Sequence, residues 1–262
     1  MITQAAFSSI QQKAASFPYT ALAYTEYDDV ASYDWVADTA LGVLLRGYDT
    51  EARCIQFLWA SGTPAFLIDR VQEPSLVPFI PSAWVKELEQ HGFAVRNAWH
   101  DYFLEPLSTV QTEPPLLIKP CDADEAAKLT AACRGDSRGF TGQTAEWIAA
   151  WLRGEDGVDD PAILGERDAN GDLIGLLCTG TYARQDGSGK MVWIRELCVH
   201  PKARNRGIGR KLILQALRYG AEHGGSKAFL AADEQNTGAI HLYQSVGFCP
   251  GADESQIDML RL

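Results

Sequence analysis

No run of 18 or more apolar residues occurs in the 262-residue chain, so no membrane-crossing helix is expected. The opening MITQAAFSSIQQKAASF lacks a charged segment followed by an apolar stretch of leader length, which makes a cytoplasmic location the expectation. Positive charge is also scarce: 23 Lys and Arg stand against 34 Asp and Glu, a formal charge of −11. Such a balance disfavours a broad phosphate-binding face, and with it nucleic acid as a partner. The cysteines at 54, 121, 133, 178, 198 and 249 form no CxxC pair and no metal spacing with the five histidines, so no metal is expected and reduced thiols explain them. What is present is ordinary for a folded protein, with 46% apolar and 22% charged residues, too apolar for disorder. The length corresponds to about two domains.

Three prolines and small polar residues mark Glu105 to Pro115, EPLSTVQTEPP, as a linker between residues 1–104 and 116–262. In the second unit, Asp122 with Glu125 has capping-box form and opens a helix to about Cys133. Thr144 caps a helix TAEWIAAWLRG that Gly154 ends. Strands PAILGERD and DLIGLLCTGTY are joined through Asn170-Gly171, a tight-hairpin pair. A loop, RQDGSGK, precedes the strand MVWIRELCV at 191–199. Next comes a helix with apolar residues at 208, 212, 216, 217 and 221, then the strand KAFLAAD, a helix Thr237–Val246 ended by Gly247, and a last pair of strands to Leu262. The order predicts an α/β (α+β) fold: a mixed, mostly antiparallel twisted sheet flanked by helices. The first unit reads as a smaller α/β domain, with strand-like runs ARCIQFLWA and AFLIDRV and a helix SAWVKELEQHG capped by Ser82 and Gly92. Leu88 to Phe93 echoes Tyr243 to Phe248, each a helix closing on Gly then Phe; duplication and coincidence are both open readings.

Chemistry concentrates in HPKARNRGIGRKL. Glycines 207 and 209 at a helix start let a ligand approach the backbone, and the first-turn N–H groups lack intrahelical partners. With the helix dipole they form an anion site, and Lys202, Arg204, Arg206, Arg210 and Lys211 add a local basic cluster to an acidic chain. That pattern points to a phosphate-bearing small molecule, with a solvated basic turn as the plain alternative. A GxGxxG fingerprint from Gly207 fails at Leu212, and a P-loop fails for want of GxxxxGK followed by Ser or Thr.

The ordered set Val199-x-Pro201-x-x-Arg204-x-x-Gly207-x-Gly209, an amphipathic helix, a strand, Asn236, and Ala239-x-x-x-Tyr243-x-x-x-Gly247-Phe248 resembles the GNAT family of acetyl-CoA-dependent N-acetyltransferases, over about 116–262. Tandem members of that family with a decayed N-terminal copy offer a loose analogy for the whole chain. The resemblance implies that Arg204, Asn205, Arg206, Gly207, Ile208, Gly209 and Arg210 hold the CoA pyrophosphate, that the edge at Leu197, Cys198 and Val199 pairs with the pantetheine arm, and that Asn236 matches the family's cofactor-side Asn. It also implies that the strand carrying that edge splays from its neighbour at a bulge.

By the same resemblance an amine attacks the thioester directly, and Tyr243 is the candidate general acid for the leaving thiolate, a packed tyrosine being the alternative. An alkylammonium of pKa near 10.4 is neutral in only about one part in 2,500 at pH 7, so a base helps. Glu196 is the candidate, with strand parity against it: alternation puts Glu196 and Val199 on opposite faces unless a bulge intervenes. Asp233 and Glu234 are in reserve. Cys198, His200 and His241 read as structural or surface residues. The expectation is therefore an N-acetyltransferase using acetyl-CoA as co-substrate on a primary amine of a small molecule or protein. The N-terminal unit would shape the acceptor pocket or an oligomer interface such as a homodimer. A non-catalytic acyl-CoA-binding module is the alternative.

Overall fold

The computed structural model describes residues 2–262 apart from positions 24, 51, 108–111, 139, 156, 185, 186 and 188. The chain packs as two compact units, one of residues 1–99 with 254–262 and one of residues 100–253. The elements of the first are α1 (Gln4–Ala14), β1 (Tyr19–Thr20), α2 (Tyr27–Val30), β2 (Asp34–Thr39), β3 (Gly42–Asp49), β4 (Cys54–Ser61), α3 (Ala65–Arg70), β5 (Ser75–Ile80), α4 (Ser82–Gln90) and β6 (Phe93–Leu104) as far as Trp99. The second adds β7 (Leu116–Leu117), α5 (Ala123–Ala132), α6 (Ala145–Leu152), β8 (Asp159–Arg167), β9 (Leu173–Ala183), β10 (Lys190–Val199), α7 (Ile208–Glu222), β11 (Gly225–Asp233), α8 (Thr237–Val246) and β12 (Cys249–Pro250). The final strand β13 (Gln256–Arg261) belongs to the first unit.

In the first unit β2, β3 and β4 are antiparallel, β5 runs parallel to β4, and β13 lies between β5 and β6. Three expectations need correction here. AFLIDRV folds as helix α3, because Pro64 starts it with a helical backbone and Ile68 N–H bonds the Pro64 carbonyl while Phe66 and Leu67 turn into the core. The last strand does not close the second unit; it puts Met259, fully buried, into the first unit's core beside Val77 and Phe93. Ser82 opens α4, yet its hydroxyl bonds Glu254 rather than capping.

In the second unit β7 to β10 are antiparallel, β11 is parallel to β10, and β12 pairs with residues 102–103 of β6. Helices cover both faces of the sheet, and strand alternation sorts the core. Leu164, Leu177, Val192, Ile194 and Leu230 pack under α7, whereas Ile163, Leu176, Cys178 and Cys198 pack under α5 and α6. Thr144 caps α6 by accepting the Trp147 N–H at 3.1 Å, and Gly154 and Gly171 take the left-handed conformations that their turns require. The expected capping box at Asp122 and Glu125 does not form. Glu125 instead takes the Arg167 guanidinium and the Leu173 N–H, tying α5 to the sheet. Of the stretch 105–115, Glu105 pairs with Arg184 and Lys227, and the Glu113 carbonyl accepts from Gln215, so these residues lie along the second unit; 108–111 fall outside the described residues, as do 185, 186 and 188 of the RQDGSGK loop.

Candidate acyl-transfer site

Two irregularities in β10 open the sheet. Its parallel pairing to β11 ends at Trp193–Phe229, although both strands run on, to Val199 and Asp233. On the other side the register with β9 slips between Ile194 and Glu196, a bulge at Arg195. From Ile194 onward β10 is held by β9 alone, and the two parallel strands part like a fork. This is the expected splay.

The bulge settles strand parity. Ile194 faces α7, and the extra residue places both Arg195 and Glu196 on the α6 side, with Cys198; Leu197 and Val199 then return to the α7 side. Pairing is regular from Glu196 to Val199, so these two do face opposite ways. Glu196 is half-buried, and Gln143, in the turn before α6, donates its side-chain N–H to Oε1 at 2.9 Å. Gln143 carries no spacing signal because it lies 53 residues away in sequence.

At the fork's end stands the turn into α7. Asn205 (φ 61°) and Gly207 (φ 78°) are both left-handed, and a side-chain carbon at Gly207 would meet nothing within 4 Å, so the turn faces open space. The first bond into the helix runs from Lys211 N–H to the Gly207 carbonyl, leaving the N–H groups of Ile208, Gly209 and Arg210 without intrahelical acceptors. Gly209 lets α8 approach: a Cβ there would sit 3.0 Å from Leu242. The basic cluster is partly spent on the fold itself. Arg204 binds Asp136 and the Val199 carbonyl, Arg210 binds Ser245, and Lys211 binds Glu166. Among the described residues Lys202 and Arg206 have no carboxylate partner. On the expected pantetheine edge, the Val199 carbonyl also accepts from the Cys133 thiol at 3.4 Å.

Asn236 caps α8, its Oδ1 accepting the Ala239 N–H at 3.3 Å. Two turns on, Tyr243 is half-buried, its ring edge-on to Phe248 at 6.3 Å. Burial, and then the charges of Glu196 and Cys198, raise the Tyr243 phenol well above its ordinary pKa. The structure thus brings Tyr243, Glu196 and Cys198 into one electrostatic neighbourhood. Cys198 is sealed in the core, and its hydrogen bond to Cys133, with burial, pushes its thiol up, so it is no poised nucleophile. Asp233 is 1% exposed and committed: it takes the Arg138 guanidinium at 2.9–3.0 Å and the Gln235 N–H at 3.0 Å. His200 accepts the Lys202 N–H, and His241 is exposed. No group of three or more His, Cys, Asp or Glu arranged to hold a metal occurs among the described residues.

The profile of the Acetyltransferase (GNAT) family matches residues 125–248. A mycothiol acetyltransferase of Salinispora tropica is 31% identical over 180 residues, covering 64% of this chain and 56% of that protein. The L-amino acid N-acyltransferase MnaT of Escherichia coli is 28% identical over 108 residues, covering 41% of this chain and 61% of its own length. This chain thus spans less than two thirds of both relatives. A GCN5-related N-acetyltransferase from Sphaerobacter thermophilus superposes with TM-score 0.57 at 15% identity, covering 96% of this chain and 88% of that one, a likeness of fold. The forked strand, the glycine turn and these matches agree, and residues 125–248 belong to the GNAT acetyltransferase family.

Proposed function

We propose that the second unit is an N-acetyltransferase that moves an acetyl group from acetyl-CoA directly to a primary amine. The observation that carries this reading is the fork between β10 and β11, with the left-handed glycine turn at its end and Glu196 and Tyr243 beside it. The turn's amides would take the diphosphate, chiefly Arg206 to Arg210, with Arg204 shaping the loop through Asp136. The freed edge of β10 at Leu197 and Cys198 would line the pantetheine arm. Glu196, held by Gln143, would accept the ammonium proton directly or through water. The freed amine then adds to the thioester carbonyl, forming C–N; collapse breaks C–S, and the nitrogen gives up its second proton to water. Tyr243, kept protonated by its raised pKa, would donate to the departing sulfur. Two relatives named for mycothiol and for L-amino acids support a small-molecule amine as acceptor. Six free cysteines suit a reducing cytoplasm.

One observation favours the alternative, a non-catalytic acyl-CoA-binding module: a phenol raised this far is a reluctant acid toward a thiolate whose conjugate acid has a pKa near 8.5. Incubation with acetyl-CoA and an amine panel, following free thiol, separates the two. Amine-dependent thiol release that falls with Tyr243→Phe supports transfer; a CoA-induced rise in Tm without release supports the module. CoA at 100 times its Kd should add about 2.7 kcal/mol, and no rise at all would remove both readings.

A further inference from the structure

Beside the fork, on the Glu196 side of the sheet, lies an open cavity of about 320 Å³ lined by Gly157, Val158, Tyr182, Trp193 and Phe229. The three rings come from adjacent strands. Trp193 on β10 stands opposite Gly180 on β9 and beside Phe229 on β11, and Tyr182 is two residues along from Gly180. Trp193 is the last residue of β10 still paired to β11, so the cavity begins where the fork opens, three residues and roughly 10 Å of strand from Glu196.

Its lining has no charged side chain, and its polar side-chain groups are the Tyr182 hydroxyl and the Trp193 indole N–H. An apolar cavity of roughly 150 Å³ already holds benzene, so this one has room for a ring and the arm that bears it. Of the two cations beside the rings, Arg195 argues against a second ammonium, whereas Lys227 is ion-paired with Glu105. The Arg195 guanidinium sits 4.9 Å over the Trp193 ring, and the Lys227 ammonium lies 4.4 Å over Phe103, whose ring is 5.5 Å from Phe229. A polycation would meet Arg195, although the net charge of −11 would draw it toward the protein. Tyr182 lies within the influence of Asp101, but its phenol is pushed up mainly by burial.

We infer that the acceptor is a primary amine bearing a neutral, ring-sized apolar group, which the Tyr182–Trp193–Phe229 cavity holds while the nitrogen reaches Glu196. The inference rests on the transferase reading above. It is tested on the full chain with acetyl-CoA, comparing 2-phenylethylamine, n-propylamine and putrescine by thiol release. Burial of the ring should lower KM for phenylethylamine about ten- to hundredfold relative to propylamine. Filling the cavity with Val158→Trp, or removing a wall with Phe229→Ala, should shrink that ratio toward one. Independently of turnover, phenylethylamine should raise the Tm of the CoA-bound protein and quench its tryptophan fluorescence, effects that putrescine lacks. Putrescine used as well as phenylethylamine, or a ratio unmoved by both variants, overturns the assignment and leaves transfer standing. Phenylethylamine binding without thiol release from any amine removes transfer and keeps the cavity's preference. Absence of both binding and preference removes the cavity reading.

Discussion

At the scale of single residues the proposed chemistry turns on two side chains with different neighbours. Tyr243→Phe removes a proton donor and little volume, so kcat should fall about 10²- to 10⁴-fold with the acetyl-CoA KM and the Tm nearly unchanged. Equal loss of kcat and of CoA binding would instead mark Tyr243 as a packing residue. Glu196→Gln keeps the contact with Gln143 and removes the base; thiol release should drop by about 10²-fold and recover as pH rises toward the free amine's own pKa. A pH–rate profile of unchanged shape would discard Glu196. The sequence singles out Tyr243 through the ordered motif and Glu196 through its place three residues before Val199. Gln143, Arg138 and the stacking of Arg195 on Trp147, Trp151 and Trp193 were not legible there, since each joins residues distant in sequence or depends on the bulge.

At the scale of elements, strands and helices of the second unit follow from periodicity and caps because each carries its own signal: Thr144 before α6, Gly207 before α7, Asn236 before α8. The fork has no such signal, since loss of a ladder is a property of two strands. Gly207→Ala tests the turn. A left-handed L-residue costs about 1–2 kcal/mol, which differential scanning calorimetry should record, and the same methyl would stand where the diphosphate is expected, weakening CoA by about tenfold or more. In the first unit α3 shows how a locally apolar run is misread: AFLIDRV has strand composition, but Pro64 sets a helical start. β13 offers a pH test. Burial pushes Asp258 up to about 6, against about 3.9 in an unfolded chain. The folded state therefore prefers the protonated carboxyl. That contribution is full below about pH 4 and is lost as pH rises through 6. Asp258→Asn, neutral throughout and still able to accept the Phe79 N–H, should exceed wild type in stability by about 1–3 kcal/mol at pH 8, the gap closing toward pH 4.

At the scale of the whole molecule, the two units share a plan: three antiparallel strands, a helix, and a strand parallel to the third. They differ in the connecting helix, which has fifteen residues after a glycine turn in the second unit and six after Pro64 in the first. Met259→Ala should destabilise the first unit by about 2–5 kcal/mol in urea unfolding, because the side chain is fully buried there despite lying at the far end of the sequence. The sequence by itself determined the glycine turn, the caps of α6 and α8, the alternation of the strands and the order Arg204, Gly207, Gly209, Asn236, Tyr243, because backbone conformation and periodicity are local properties of a few neighbouring residues. Only the tertiary structure decided where β13 packs, which face Glu196 occupies and that Trp193, Tyr182 and Phe229 wall one cavity, because strand partners, bulges and cavities arise from contacts between segments that no local pattern encodes.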